Sequence, residues 1–306
     1  MTQPPAPPTG ILRRIFLSGE EPRLRTGWRL LLHGFLTLGL TIPFTLLLVV
    51  ALFVLGLVVP VTGALITVLG GLVNAVVFVV GTFLARRLLD RRSFVSLGFA
   101  LDRHTLPDLI VGFLIPLPMM GLIFLIESSL GWVLWQGWAW QEVNAAQVVL
   151  GAAGGLVMFM AVGVAEETLS RGYHLQNLAE SIGVPAAVVI SSLLFSALHT
   201  FNPGFTLPAG VGLVLAGLFL ATGWLRTRRL WLSIGLHIGW NFFEGTVFGF
   251  AVSGLDLFRV MRHQVEGPGW ATGGAFGPEA GAVVLPALLL GAGIIWLYTR
   301  GRIPRS

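Results

Sequence analysis

The chain contains no cysteine. That excludes disulfides, thiolate catalysis and cysteine-ligated metals together. It contains no lysine either, so all 19 Lys-or-Arg positions are arginine. Charge is scarce: 11% of residues are charged and 55% are hydrophobic, with a mean hydropathy of +0.85. A soluble chain of 306 residues needs far more charge, so the composition predicts an integral membrane protein. The net charge of +5 would suggest nucleic acid in a soluble protein. Here the arginines lie between apolar runs, where topology and anionic headgroups explain them, and no nucleic-acid module is recognisable. No nucleic-acid partner is therefore expected. The N-terminal stretch "MTQPPAPPTGILRRIFLSGEEPRLRTGWR" lacks the apolar core and cleavage site of a signal peptide and reads as a cytosolic tail over 1–27.

Apolar runs fill most of the rest. A bilayer core about 30 Å thick takes roughly 20 residues of helix. Eight spans are expected, at about 28–59, 61–85, 109–130, 148–165, 184–200, 207–225, 230–252 and 281–299. Pro43 in the first, and Pro116 and Pro118 in the third, predict tilt or kinks. With the N-terminus inside, only Arg259 and Arg262 fall outside, against seventeen arginines inside. That asymmetry predicts an even number of spans with both ends cytosolic. The loop 131–147 has no arginine but carries Trp132, Trp135, Trp138 and Trp140, as an interfacial belt would. The Gly- and Pro-rich stretch 253–280 reads as an external loop. No internal repeat and no soluble domain is apparent. The expectation is one all-α, polytopic domain over 28–299, with a short cytosolic tail at 300–306.

Ionisable residues in or beside these spans are few and cluster in the second half of the chain. Glu166, Glu167 and Arg171 end the fourth span, His199 lies late in the fifth, and His237 and Asn241 lie in the seventh. Carboxylates near hydrocarbon are expensive unless paired or functional. Residues four apart share a helix face, so Glu167 can pair with Arg171, which turns Glu166 elsewhere. Phe195 shares a face with His199, and His237 with Asn241. The bland alternatives are a packing histidine, an interfacial ion pair and an asparagine that stitches helices together. His33, His104, His174 and His263 read as incidental, and Asn74 and Glu127 as structural. Convergence is not free. At ~1.5 Å per residue, His237 comes out ~12 Å from the inner arginines, His199 ~22 Å into its span, and Glu166 at the inner edge. The three meet only if 172–183 also enters the membrane or the fifth span tilts strongly.

Three motifs carry a resemblance: "EETLSR" as Glu-Glu-x-x-x-Arg, "FSALH" as Phe-x-x-x-His and "HIGWN" as His-x-x-x-Asn, in that order. The sequence resembles the CPBP family of intramembrane endopeptidases, which includes CAAX prenyl proteases of the Rce1 type and bacteriocin-processing relatives. The resemblance covers about 145–252. It implies an active site among helices four, five and seven. In it, Glu166 activates water, His199 holds that water, and His237 and Asn241 form the oxyanion hole. Glu167, Arg171 and Phe195 would support them.

Zinc held by Glu166, His199 and His237 is the rival chemistry, with a position left open for water. The soluble signature His-Glu-x-x-His is absent, and the metal-free version is preferred. Two other classes stay open. A proton- or ion-coupled transporter also buries acids and histidines, but no inverted repeat is seen. A non-enzymatic immunity or scaffold protein would tolerate loss of Glu166. The expected partners are the bilayer and a membrane-anchored protein or peptide substrate. The arginine-only, glycine-rich composition suggests a bacterial plasma membrane.

Overall fold

The computed structural model describes residues 10–302, except 20, 22 and 59. Residues 1–9 of the expected N-terminal tail and 303–306 of the expected C-terminal tail therefore lie outside the described residues. The helices in chain order begin with α1 (Ile11–Phe16), α2 (Thr26–Gly56) and α3 (Gly63–Leu88), then α4 (Thr105–Leu114) and α5 (Pro116–Ser129). Strand β1 (Val133–Trp138) leads to α6 (Ala145–Glu167), which runs through a π-type segment, Thr168–His174, into α7 (Leu175–Ile182). Next come α8 (Val184–Leu198), α9 (Leu207–Thr227) and α10 (Trp231–Asn241), which continues as a second π-type segment, Phe242–Val247. Strand β2 (Met261–Val265), the single turn α11 (Gly269–Thr272) and α12 (Val284–Thr299) complete the order.

The all-α expectation needs one amendment. β1 and β2 pair antiparallel, with Trp135 opposite His263, so the loop 131–147 and the stretch 253–280 are joined by a small sheet. Among the described residues, five helices are long and apolar enough to cross a membrane: Thr26–Gly56, Leu65–Leu88, Thr105–Ser129, Ala145–Ile182 and Leu207–Thr227. Val184–Leu198 and Val284–Thr299 are apolar but shorter. By length and composition alone, five of the described helices qualify as spans. Proline acts differently in the two places expected. α2 continues through Pro43, whereas between α4 and α5 regular helical bonding is interrupted at Ile115, whose backbone stays helical (φ −56°, ψ −43°), and Pro116 takes the first position of α5.

The helix of the expected fourth span is longer than expected. The fourth span does not stop near residue 165; the helix runs on to Ile182, which places Glu166 in its middle. Asn144 caps its start, accepting from Gln147 N–H at 2.9 Å while the Gln147 side chain accepts from Asn144 N–H. Gly183 (φ +79°) then turns the chain directly into α8.

α10 is the axis of the fold, with every residue from Leu232 to Asn241 buried. Glycine lets other backbones reach it. A Cβ on Gly239 would lie 2.1 Å from Phe113 O, and one on Gly163 would lie 2.8 Å from Ile238 Cγ1, so α4 and α6 both touch α10 directly. Phe219, Leu232, Leu236, Trp240 and Met119 form the largest apolar core beside it. Arginines do more here than set topology. Arg29 and Arg86 both bind buried Asp90, at 2.8 and 2.7 Å, and Arg29 and Arg23 reach Glu180. The segment before α2, the end of α3 and α7 are pinned together by these pairs. Asp108 likewise gathers Arg229, Arg302 and the Tyr298 hydroxyl, joining α4, the α9–α10 turn and the end of α12.

Candidate active site

α6, α8 and α10 bring the expected residues to one cavity of about 390 Å³. Glu166, Phe195, His199, His237 and Asn241 all line it. Glu167 and Arg171 sit just behind, at 0% and 2% exposure. The π-type segments begin immediately after Glu167 and after Asn241. Such wider turns are rare and frequent at functional sites, since they rotate the side chains on either side out of ordinary helical register.

Adjacent glutamates divide their tasks as helical spacing requires. Glu167 Oε1 accepts Arg171 Nη1–H at 2.9 Å and His237 Nδ1–H at 2.8 Å. A carboxylate already bound to arginine is an acceptor only, so Nδ1 carries the imidazole proton and Nε2 is turned toward the cavity. His199 is fixed the same way by a different acceptor: its Nδ1 lies 2.8 Å from Phe195 O, again leaving Nε2 toward the cavity. Glu166 Oε2 has no hydrogen-bond partner and stands 3.7 Å from His237 Nε2 and 3.8 Å from His199 Nε2. These separations are too long for direct bonds and suit one bridging water.

The support behind the cavity is specific. Arg171 also donates to Gly217 O on α9 at 2.9 Å, and its guanidinium lies 4.6 Å from the centroid of the Phe195 ring. Phe195 packs against both imidazoles, with centroid distances of 4.7 Å to His199 and 6.0 Å to His237. Replacing Glu167 by alanine leaves Arg171 buried without its carboxylate. Loss of one partner of a buried pair costs about 3–5 kcal/mol. Thermal unfolding in detergent should record that loss. An unchanged midpoint would mean that the pair is not structural.

Several residues in the lining were not expected. Asn74, read as structural, lies in the wall contributed by α3, together with Ile66, Gly70 and Phe78. Ser170, Asn202, Ser253 and Glu279 also line the cavity. The stretch 253–280 is therefore more than an external loop: its last turn reaches the site. Asn202 links the two, as its Nδ2 donates to Ser253 O at 3.0 Å and its backbone N–H to His199 O at 3.0 Å. Sequence spacing offered no signal for Glu279, which sits in "FGPEAG" with no periodicity around it. His33, His104, His174 and His263 do not line the cavity.

The bond from His237 Nδ1 to Glu167 leaves its Nε2 toward the cavity, beside that of His199. Among the described residues, no group of three or more His, Cys, Asp or Glu is arranged to hold a metal ion.

Residues 133–243 match the model of the Rce1-like family, described as type II CAAX prenyl endopeptidase Rce1-like. The match spans all three motifs, from Glu166 to Asn241, and stops short of Glu279. The resemblance read from those motifs is thereby shown for that segment. No curated protein and no solved structure matches the chain.

Proposed function

We propose that this chain, Rce1-like over residues 133–243, is an intramembrane endopeptidase that hydrolyses a peptide bond of a membrane-anchored protein or peptide through a water activated by Glu166. The observation that carries this reading is the unpartnered Glu166 Oε2 facing two imidazole nitrogens across 3.7 and 3.8 Å inside a cavity. An unused carboxylate oxygen in apolar surroundings is costly, and a water held against it is the simplest use of that position.

In the reaction, one water donates its two hydrogens to Glu166 Oε2 and His199 Nε2, both acceptors, so its lone pair points at the substrate carbonyl. Glu166 takes one proton as the new C–O bond forms. The carbonyl oxygen becomes an oxyanion between His237 and Asn241, one helical turn apart on α10. With Nδ1–H held by Glu167, His237 donates from Nε2 only as the imidazolium, and Glu167 supplies its counter-charge. The intermediate then collapses, the C–N bond breaks, and the amine leaves with the proton that Glu166 accepted, His199 assisting. The products are a carboxylic acid and an amine, which become carboxylate and ammonium as the acid passes its proton on, and Glu166 is again ionised.

The setting goes with this chemistry: a single transmembrane domain over 28–299 in a bacterial plasma membrane, both termini cytosolic, with eight segments at membrane depth once the shorter helices α8, α10 and α12 are counted with the five long ones. Proteomics of cells carrying the unaltered chain or Glu166→Ala tests the function directly. An uncut membrane protein should accumulate in the Glu166→Ala cells. Identical membrane proteomes would contradict proteolysis, and a solute flux lost with Glu166 would point to transport instead.

A further inference from the structure

The cavity contains a second carboxylate that the hydrolysis leaves unused. Glu279 is 5% exposed and enters the lining from the turn Pro278–Ala280. Its Oε1 accepts Trp240 Nε1–H at 3.1 Å, and its Oε2 accepts Ser253 N–H at 2.9 Å and Ser253 Oγ–H at 2.6 Å. A carboxylate offers about four acceptor positions, so one on Oε1 stays open. The backbone is shaped to hold this group. A Cβ on Gly212 would lie 1.7 Å from Glu279 O, so only glycine lets the turn seat on α9. Ser253 takes φ +46°, a left-handed conformation uncommon outside glycine.

Carboxyl groups dominate the cavity. Glu166 and Glu279 line it, and Glu167 lies directly behind, its charge shared by Arg171 and His237. The arginine among them, Arg171, is committed to Glu167 and Gly217 O and covered by Phe195. Among the described residues, no arginine lines the cavity. Ser170, 1% exposed, lines it with an unpartnered Oγ, a second polar group without a use in the resting protein. Away from the oxyanion position between His237 and Asn241, such a wall disfavours an anion and has an acceptor to spare for a cation. Like charges brought together in a desolvated site are a strong basis for rejecting a partner.

We propose that Glu279 is a specificity-determining residue that receives a basic side chain of the substrate beside the scissile bond, and that the cavity disfavours a peptide whose free C-terminal carboxylate must enter it. The scissile bond in this statement rests on the endopeptidase reading; the binding preference does not. The test is therefore binding. The probes are labelled, amidated alanine–leucine peptides carrying a single arginine, norleucine or glutamate walked through the central positions. The protein is the full chain in lipid nanodiscs with Glu166→Gln, so that no probe is consumed.

At its best position the arginine probe should bind about tenfold tighter than the norleucine probe, equivalent to ~1.4 kcal/mol. The glutamate probe and a free-acid probe ending at that position should bind more weakly than norleucine. Adding Glu279→Gln should erase the arginine preference, and Glu279→Asp should keep it. Equal affinities for arginine and norleucine would overturn the proposal, as would a preference that survives Glu279→Gln. The peptide series on protein with Glu279 intact decides the matter even if the glutamine variant does not fold. Absence of cleavage by the unaltered chain, with the arginine preference present, would count against the hydrolase reading alone.

Discussion

Replacing Glu166 by glutamine is expected to lower kcat by about 10³-fold, within the 10²–10⁴ range usual for a positioned general base. Glutamine keeps the shape of the side chain and removes only its capacity to take a proton. The substitution should leave the fold intact, because Glu166 Oε2 makes no hydrogen bond that could be lost. Arg171, Glu167 and His237 bind one another without it. Cleavage of a membrane-anchored reporter by purified protein in bilayers, with thermal unfolding measured alongside, separates the two effects. A slow variant with an unchanged midpoint is the expected result. Retention of a tenth or more of the rate, ~1.4 kcal/mol or less in barrier, would rule Glu166 out as the base.

Replacing Asn241 by alanine should cost about 10²–10³-fold in kcat with little change in KM, as loss of one oxyanion donor does. An oxyanion exists only after attack, so the lost interaction belongs to the transition state and leaves ground-state binding alone. Asn241 is the better probe of this hole than His237. Removing His237 would also leave Glu167 Oε1 without one of its two donors and disturb the support behind Glu166. A raised KM with unchanged kcat would instead make Asn241 a substrate-binding group.

Much of this arrangement is legible in the sequence, because helical spacing dictates it. Four-residue intervals put Glu167 on Arg171, and the same intervals placed Phe195 with His199 and His237 with Asn241. Glu166 then had to face elsewhere, and it faces the cavity. Hydropathy could not give the helix ends. The polar run after Glu167 reads as the close of a span, yet it continues as a π-type turn whose polar groups are buried against α3 and α8. Period-based reading also has no purchase on "FGPEAG", where glycine and proline set the path and Glu279 is delivered to the site by packing on α9. The two short strands escape for the same reason: neither is long enough to show alternation.

The most direct measurement is a double-mutant cycle on kcat in bilayers, comparing Glu166→Gln, His199→Ala and the combination. Two side chains that grip the same water should act as a unit, so that His199→Ala is costly alone and adds less than about threefold once Glu166 is already glutamine. Costs that multiply in full would mean that carboxylate and imidazole serve separate steps, and the shared water between them would have to be abandoned.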